Sequence, residues 1–347
     1  MTTRTEPEAV PSASPPVARW RHRDVLDLDD FTRDEIEAVL AQTEAMAEVL
    51  TRPVRRVPPL RGRTVILFFA EVSTRTRASF ELAGKALGAD VISLQASTSS
   101  VVKGESLIDT LRTLRAMGAD VIVMRHASAG AAYLAASHTE AAIVNAGDGA
   151  HAHPTQALLD LYTMHKHFGD LAGKRVVMVG DISHSRVARS DLWGLWTMGA
   201  EVVVCGPPTL LPRGLAEADR PPHAAAALPP VTIETEIERA IVGADVVMAL
   251  RLQSERQQGG LLPSLHEYAL HYQVTASRLA RAHPDHLLMH PGPKNEGVEI
   301  AGDVARGRHS IIEEQVTNGV AVRMALLYLL TVGAGGTFLG RTEGTPS

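Results

Sequence analysis

Cysteine is nearly absent from this sequence. Cys205 is the single one, which excludes an intrachain disulfide framework and a cysteine-ligated zinc cluster. Set beside the apolar run Val202, Val203, Val204, it reads as a buried, inert thiol. Aromatic residues are scarce too, at 4% of the chain, so the core must be assembled mainly from Val, Leu, Ile and Ala. Positive charge is not in excess: a formal net charge of -5 provides no basic field to attract nucleic acid. No apolar run reads as long enough to span a membrane. The opening stretch is rich in Pro, Ala, Ser and Glu and lacks the apolar segment of a secretion signal. The expectation is a cytoplasmic protein with neither a membrane nor a nucleic-acid partner.

What is present is ample apolar material, 45% of 347 residues against 21% charged, which suits a soluble chain of two domains. Short β-branched runs at 64–69, 90–94, 120–124 and 141–145 alternate with helical patterns. One such pattern is 76–87, where Phe80, Ala83 and Leu87 recur at helical spacing. The second half repeats this with runs at 175–179, 201–205, 245–250 and 286–289. Continuous apolar strands between helices predict an α/β chain of two doubly wound parallel-sheet domains. The division expected is a disordered tail at 1–18, a first domain at 19–160, a second at 161–312 and a flexible tail at 333–347. A last helix, 313–332, is expected to pack back on the first domain, and the Pro- and Ala-dense stretch 207–230 to form an irregular connection.

In open parallel sheets, ligands bind beyond the carboxyl ends of the strands, and the polar motifs of this chain fall there. Ser73, Thr74, Arg75 and Thr76 stand between a strand and a helix. Hydroxyls, a guanidinium and the amides of a helix start within one turn suit a phosphate, with Ser73 as helix cap. Taken alone, the motif is equally well a capped helix start with surface arginines. Lys103 lies in a small-residue loop with Ser99, and alone would be an ordinary surface lysine. Pro154 fits a first helical turn, placing His153 at its start and Gln156 one turn on. One histidine among 15 proves little. Arg186 and the pair Arg251 and Gln253 each follow a strand; two forks of this kind suit a dicarboxylate, although a surface ion-pair network with Glu255 is the favoured reading of the second cluster taken alone. After Gly180 the turn carries Asp181, Ser183, His184 and Arg186 in place of closely spaced glycines, which argues against a dinucleotide site.

In order along the chain stand Ser-Thr-Arg-Thr-Arg-Ala-Ser-Phe-Glu from Ser73 to Glu81, Lys103-Gly104-Glu105-Ser106-Leu107, Met124-Arg125-His126 and His153-Pro154-Thr155-Gln156. This series resembles the aspartate/ornithine carbamoyltransferase family over about residues 20–330. The resemblance implies that Ser73, Thr74, Arg75 and Thr76 grip the phosphate of carbamoyl phosphate. Arg125 and His153 would polarise the carbamoyl oxygen, and Gln156 would accept from the carbamoyl amide. Ser99 and Lys103 would reach into a neighbouring subunit's site, which implies a homotrimer with shared active sites.

Within the family, Arg186, Arg251 and Gln253 resemble the residues that hold L-aspartate, with Lys103 also near it. The run Met289-His290-Pro291-Gly292-Pro293 resembles the loop whose carbonyls, at Pro291 and Gly292, face the reacting groups. Members that use ornithine carry His-Cys-Leu-Pro there and a Ser-Met-Gly loop, and neither is present. The implied reaction transfers a carbamoyl group to aspartate, a step of pyrimidine biosynthesis, with no cofactor and no metal. Arg75, Thr76, Arg125, His153 and Lys103 would be its catalytic groups. A regulatory chain or another enzyme of that pathway is a further candidate partner. Two departures stand out: Val72 where the family has proline, and Glu296 where an arginine is common. The rival readings are a carbamoyltransferase with another acceptor and a catalytically silent homologue.

Overall fold

The computed structural model describes residues 20–95, 106–212, 215, 228–253 and 260–333. The expected tails, the loop carrying Ser99 and Lys103 and most of the 207–230 connection lie outside them. The chain enters through α1 (Arg33–Thr51), β1 (Thr64–Phe69), α2 (Thr74–Ala86), β2 (Asp90–Gln95), α3 (Leu107–Ala116), β3 (Val121–His126), α4 (Ala131–His138) and β4 (Ala142–Asp148). It continues through α5 (Pro154–Phe168), β5 (Arg175–Val179), α6 (Arg186–Thr197), β6 (Glu201–Cys205), β7 (Thr232–Glu234), α7 (Ile237–Ala240) and β8 (Val246–Ala249). The last elements are α8 (Leu265–Tyr272), α9 (Ala276–Leu279), β9 (Leu287–Met289), α10 (Gly302–Ala305) and α11 (Ile312–Tyr328).

Two parallel sheets result, ordered β2-β1-β3-β4 and β7-β6-β5-β8-β9, as the alternating grammar predicts. The strands read as unbroken apolar runs because both faces are covered. In β1, Val65, Leu67 and Phe69 turn one way while Ile66 and Phe68 turn the other. In β5, Val176 and Met178 oppose Val177 and Val179 in the same manner. The first set from each sheet joins a single apolar cluster, which also takes Ile36, Leu158, Leu195 and Met324 from α1, α5, α6 and α11. β7 was not expected; it is a three-residue edge strand with no fully buried side chain. Cys205 is buried, and burial pushes its thiol up to about 12.

α5 is the wall shared by the two sheets. The expected division after residue 160 falls inside it, where every side chain from Pro154 to Met164 is buried. α11 returns to the first sheet, where Asn318 Nδ2 donates to Thr163 Oγ1 at 3.0 Å and Arg323 Nη1 to Ser79 Oγ at 2.8 Å. Here one expectation is corrected. The helical stretch Ile312–Val332, 21 residues, is long and apolar enough by composition to cross a bilayer. Its burial among α1, α2 and α5 makes it a core helix, apolar because it is enclosed on most sides.

Asp191 on α6 and Asp160 on α5 are both enclosed in this core. Among the described residues, the Asp191 carboxyl has no hydrogen-bond partner. Burial first, and then the charge of Asp160, raises it well above the usual carboxylate range. A carboxyl whose folded pKa is raised subtracts stability as pH climbs past its unfolded value of about 3.9. Asp191→Asn is therefore expected to be nearly neutral at pH 4 and to gain on the order of 1–3 kcal/mol over the parent by pH 8. Urea melts at the two pH values check this, and a gain that does not change with pH would refute it.

Candidate active site

A doubly wound sheet opens a crevice where its strand order reverses. The reversal lies between β1 and β3 in the first sheet and between β5 and β8 in the second. Eight of the singled-out residues sit at those four strand ends, and others flank them after β4 and β9. Ser73 to Thr76 lead from β1 into α2, and Arg125 lies at the end of β3. Arg186 opens α6 after β5, and Arg251 and Gln253 follow β8. His153 and Gln156 come from the start of α5, and the His290–Pro293 loop follows β9.

At the start of α2, Ser73 occupies the cap position but makes no side-chain cap hydrogen bond, so the expected hydroxyl cap is not formed. The first turn carries no acidic side chain, and its outward amides with the positive end of the helix dipole favour an anion. Thr76 is buried in that turn. Val72, replacing the family's proline, is 96% exposed, so the change perturbs no packing.

Arg75 reaches the loop after β9. A Cβ placed on Gly292 would lie 3.1 Å from the Arg75 guanidinium carbon, and Gly292 has φ +67°, so only glycine suits the position. Burial, and then the positive charge of Arg251, lowers the pKa of Arg75. The phosphate-binding turn of the first sheet thus faces the strand ends of the second. Inside the loop, Gly292 N–H donates to His290 Nδ1 at 2.8 Å. This leaves the ring proton on Nε2, which faces Glu299 Oε1 at 3.3 Å; Glu299 also accepts from the Asn295 N–H. Glu296, the other departure, is paired with Lys294 at 3.0 Å and Arg306 at 2.6 Å, which neutralises it locally.

Glu71 organises the cations. Its Oε2 lies 3.1 Å from Arg125 Nε and 2.9 Å from Arg186 Nη2, joining the first sheet to α6. Arg125 Nη1 also donates to Ala146 O and Arg186 Nη1 to Gly149 O, each at 3.2 Å. Arg186 is only 3% exposed. It fits because residue 147 is glycine: a Cβ there, at φ +116°, would lie 2.7 Å from the guanidinium carbon. Nothing in the sequence singles out Glu71, since one acid beside a basic motif reads as surface.

His153 is buried, with Pro154 at the first helical position. Its backbone N–H donates to Ser190 Oγ at 2.9 Å, and Ser190 donates to Asp27 Oδ1 at 2.8 Å. Burial pushes Asp27 up to about 6. Gln156 turns its amide nitrogen inward to Asp160. On the second sheet, Asp181 ties the two acceptor-side motifs together. It accepts from His184 Nδ1 at 2.8 Å and from the Gln253 N–H at 3.3 Å.

Ser99, Lys103 and Glu255 lie outside the described residues. Among the described residues, no group of three or more His, Cys, Asp or Glu side chains is placed to hold a metal. A cavity of about 600 Å³ opens elsewhere, lined by Glu238, His266, Arg278 and Arg281 among others, and includes none of the residues above.

Comparison with known proteins separates the two halves in the same way. Residues 23–166 match the aspartate/ornithine carbamoyltransferase carbamoyl-phosphate-binding domain, and residues 172–330 match the aspartate/ornithine-binding domain. The chain belongs to the aspartate/ornithine carbamoyltransferase family. The aspartate carbamoyltransferase catalytic subunit of Roseiflexus castenholzii is 56% identical over 324 residues, 93% of this chain and 99% of that one. The Trypanosoma cruzi aspartate transcarbamoylase structure with carbamoyl phosphate and aspartate has a TM-score of 0.79 at 31% identity, covering 90% of this chain and 98% of that one. The ornithine carbamoyltransferase of Pyrococcus furiosus gives 0.76 at 28% identity, covering 88% and 96%. Backbone shape therefore places the family without separating the acceptors, and the separation rests on side chains.

Glu71→Ala removes the carboxylate that bridges Arg125 and Arg186. Hydrogen bonds and pairs to charged groups contribute about 1.5–3 kcal/mol, so kcat/KM for the acceptor is expected to fall at least about tenfold. Steady-state kinetics with the variant test this, and an unchanged kcat/KM would remove Glu71 from the site.

Proposed function

We propose that the chain transfers the carbamoyl group of carbamoyl phosphate to the amine of L-aspartate, giving N-carbamoyl-L-aspartate and phosphate. The observation that carries this reading is the meeting of Arg75 with Gly292 and Arg251 across the two switch points. It forms a cationic site fit for two anions in a chain 56% identical to a catalytic subunit named for that activity. Ser73, Thr74, Arg75 and Lys103 hold the phosphate. Arg186, Arg251 and Gln253 hold the aspartate carboxylates. The deprotonated amine attacks the carbamoyl carbon, and charge grows on the carbonyl oxygen toward Arg125, His153 and Thr76. Fixed donors of this kind contribute about 2.7–4 kcal/mol each in other enzymes. The C–N bond forms, the C–O bond to phosphate breaks, and the departing phosphate takes the amine proton. Holding both substrates in one orientation supplies the remaining advantage.

The same reading makes the working unit a homotrimer, with Ser99 and Lys103 completing a neighbour's site; its support is the match of that run to the family pattern. Purified chain supplied with carbamoyl phosphate is expected to form carbamoyl aspartate with L-aspartate and nothing with L-ornithine. Product from ornithine would overturn the acceptor assignment. Lys103→Ala and Arg251→Ala are expected to fail differently, the first in carbamoyl phosphate use and the second in aspartate use. Dissociating and re-forming the two variants together is expected to restore activity through sites that carry neither change. Mixtures as inactive as the separate variants would argue against shared sites.

A further inference from the structure

Behind the site, three side chains form a hydrogen-bonded chain whose polarity can be read from one end. The backbone N–H of His290 donates to Gln315 Oε1 on α11 at 2.9 Å. A backbone N–H can only donate, so Gln315 must present its oxygen there and its nitrogen elsewhere. That nitrogen donates to Asp160 Oδ1 at 2.7 Å. Gln156 Nε2 meets the same carboxylate at 3.1 Å and 3.3 Å. All three side chains are buried. Around Asp160, burial and then the Asp160 charge raise Asp191 on α6 well above the usual carboxylate range, and Arg323 on α11 adds a positive charge. Burial pushes Asp160 up to about 7, against the hydrogen bonds from Gln315 and Gln156 and the charge of Arg323, which lower it, and its oxygens face both amide nitrogens as acceptors.

We propose that Asp160 is a positioning residue that turns the Gln156 nitrogen inward and so presents Gln156 Oε1 to the amide of the carbamoyl group. The proposal rests on the carbamoyl-transfer reading and deepens it. The two ends of a glutamine amide are nearly alike in shape and opposite in hydrogen bonding, so an unanchored Gln156 could present either one. Only an acceptor distinguishes a carbamoyl NH2 from the methyl of an acetyl phosphate of the same size. The relay therefore selects a carbamoyl donor over other acyl phosphates. Through Gln315 it also holds the backbone of the His290–Pro293 loop, so both elements that face the donor are set by one carboxylate.

Asp160→Asn tests this with little change in shape. The substituted side chain keeps Oδ1, which Gln315 meets at 2.7 Å and Gln156 at 3.1 Å, and puts an NH2 in place of Oδ2, which Gln156 meets at 3.3 Å. That NH2 repels the inward nitrogen of Gln156 and favours the turned amide, with its nitrogen to the substrate. The KM for carbamoyl phosphate is expected to rise roughly ten- to hundredfold, with the KM for aspartate and the affinity for inorganic phosphate unchanged. Adding Gln156→Glu is expected to restore use of carbamoyl phosphate, because one glutamate oxygen accepts from the new amide and the other faces the substrate. An unchanged KM, or equal losses for carbamoyl phosphate, aspartate and phosphate without rescue, would overturn the proposal. If the variant does not fold, the parent decides: phosphonoacetamide is expected to bind at least about tenfold more tightly than acetonylphosphonate, which has methyl for NH2. Equal affinities would overturn it. Failure of the parent to form carbamoyl aspartate would sink the activity itself and is scored separately from this pair of ligands.

Discussion

Gathering cations at one point is the constraint from which the rest of this structure follows. Two like charges about 4 Å apart repel by about 4 kcal/mol at the effective dielectric of a protein surface. Arg75, Arg125, Arg186 and Arg251 all converge on the crevice between the two sheets. Glu71 offsets part of the cost by serving two of them at once, and backbone carbonyls at Ala146 and Gly149 take further donors. The guanidiniums are thereby held as rigid forks before any substrate arrives, which is what electrostatic stabilisation of a growing charge requires. Parallel sheets suit the task because every strand delivers its polar end to the same side.

Behind the crevice the polar design continues into the core. Asp160, Gln315, Asn318 and Arg323 are buried in a cluster otherwise made of apolar side chains, mostly aliphatic. Each has a named partner, so the desolvation cost is met by hydrogen bonds in place of water. Among the described residues the Asp191 carboxyl and the Arg323 Nε make no such bond, and burial, then the charge of Asp160, raises Asp191 well above the usual carboxylate range. The two substrate domains are therefore linked by a polar spine as well as by apolar contact.

Much of this was legible in the sequence because burial on both faces leaves an unbroken apolar run for each strand. The runs at 64–69, 175–179 and 201–205 coincide with β1, β5 and β6. Boundaries moved where function intruded. β3 runs on through Arg125 and His126, and β4 through Gly147 and Asp148, because ladder hydrogen bonds end a strand and hydrophobicity does not. β7 escaped notice because three residues on an edge carry too little pattern. The first-turn arginines and the His153-Pro154-Thr155-Gln156 run were readable as motifs. Glu71, Asp160 and Gln315 were not, since Glu71 meets Arg186 from 115 positions away and Asp160 meets Gln315 from 155. A hydrogen bond across such a distance leaves no local signature.

The position of α11 has a consequence for the birth of the molecule. The helix that seals the first sheet is synthesised only after every strand of the second. While the second half is being translated, the first therefore carries an open apolar face where Phe80, Ala83 and Leu158 await Val322, Met324 and Leu326. Finished folding of one domain before the next leaves the ribosome does not suit this arrangement, because the first unit is completed by the end of the second. The first sheet is closed only after α11 has been made, so the two halves are completed together.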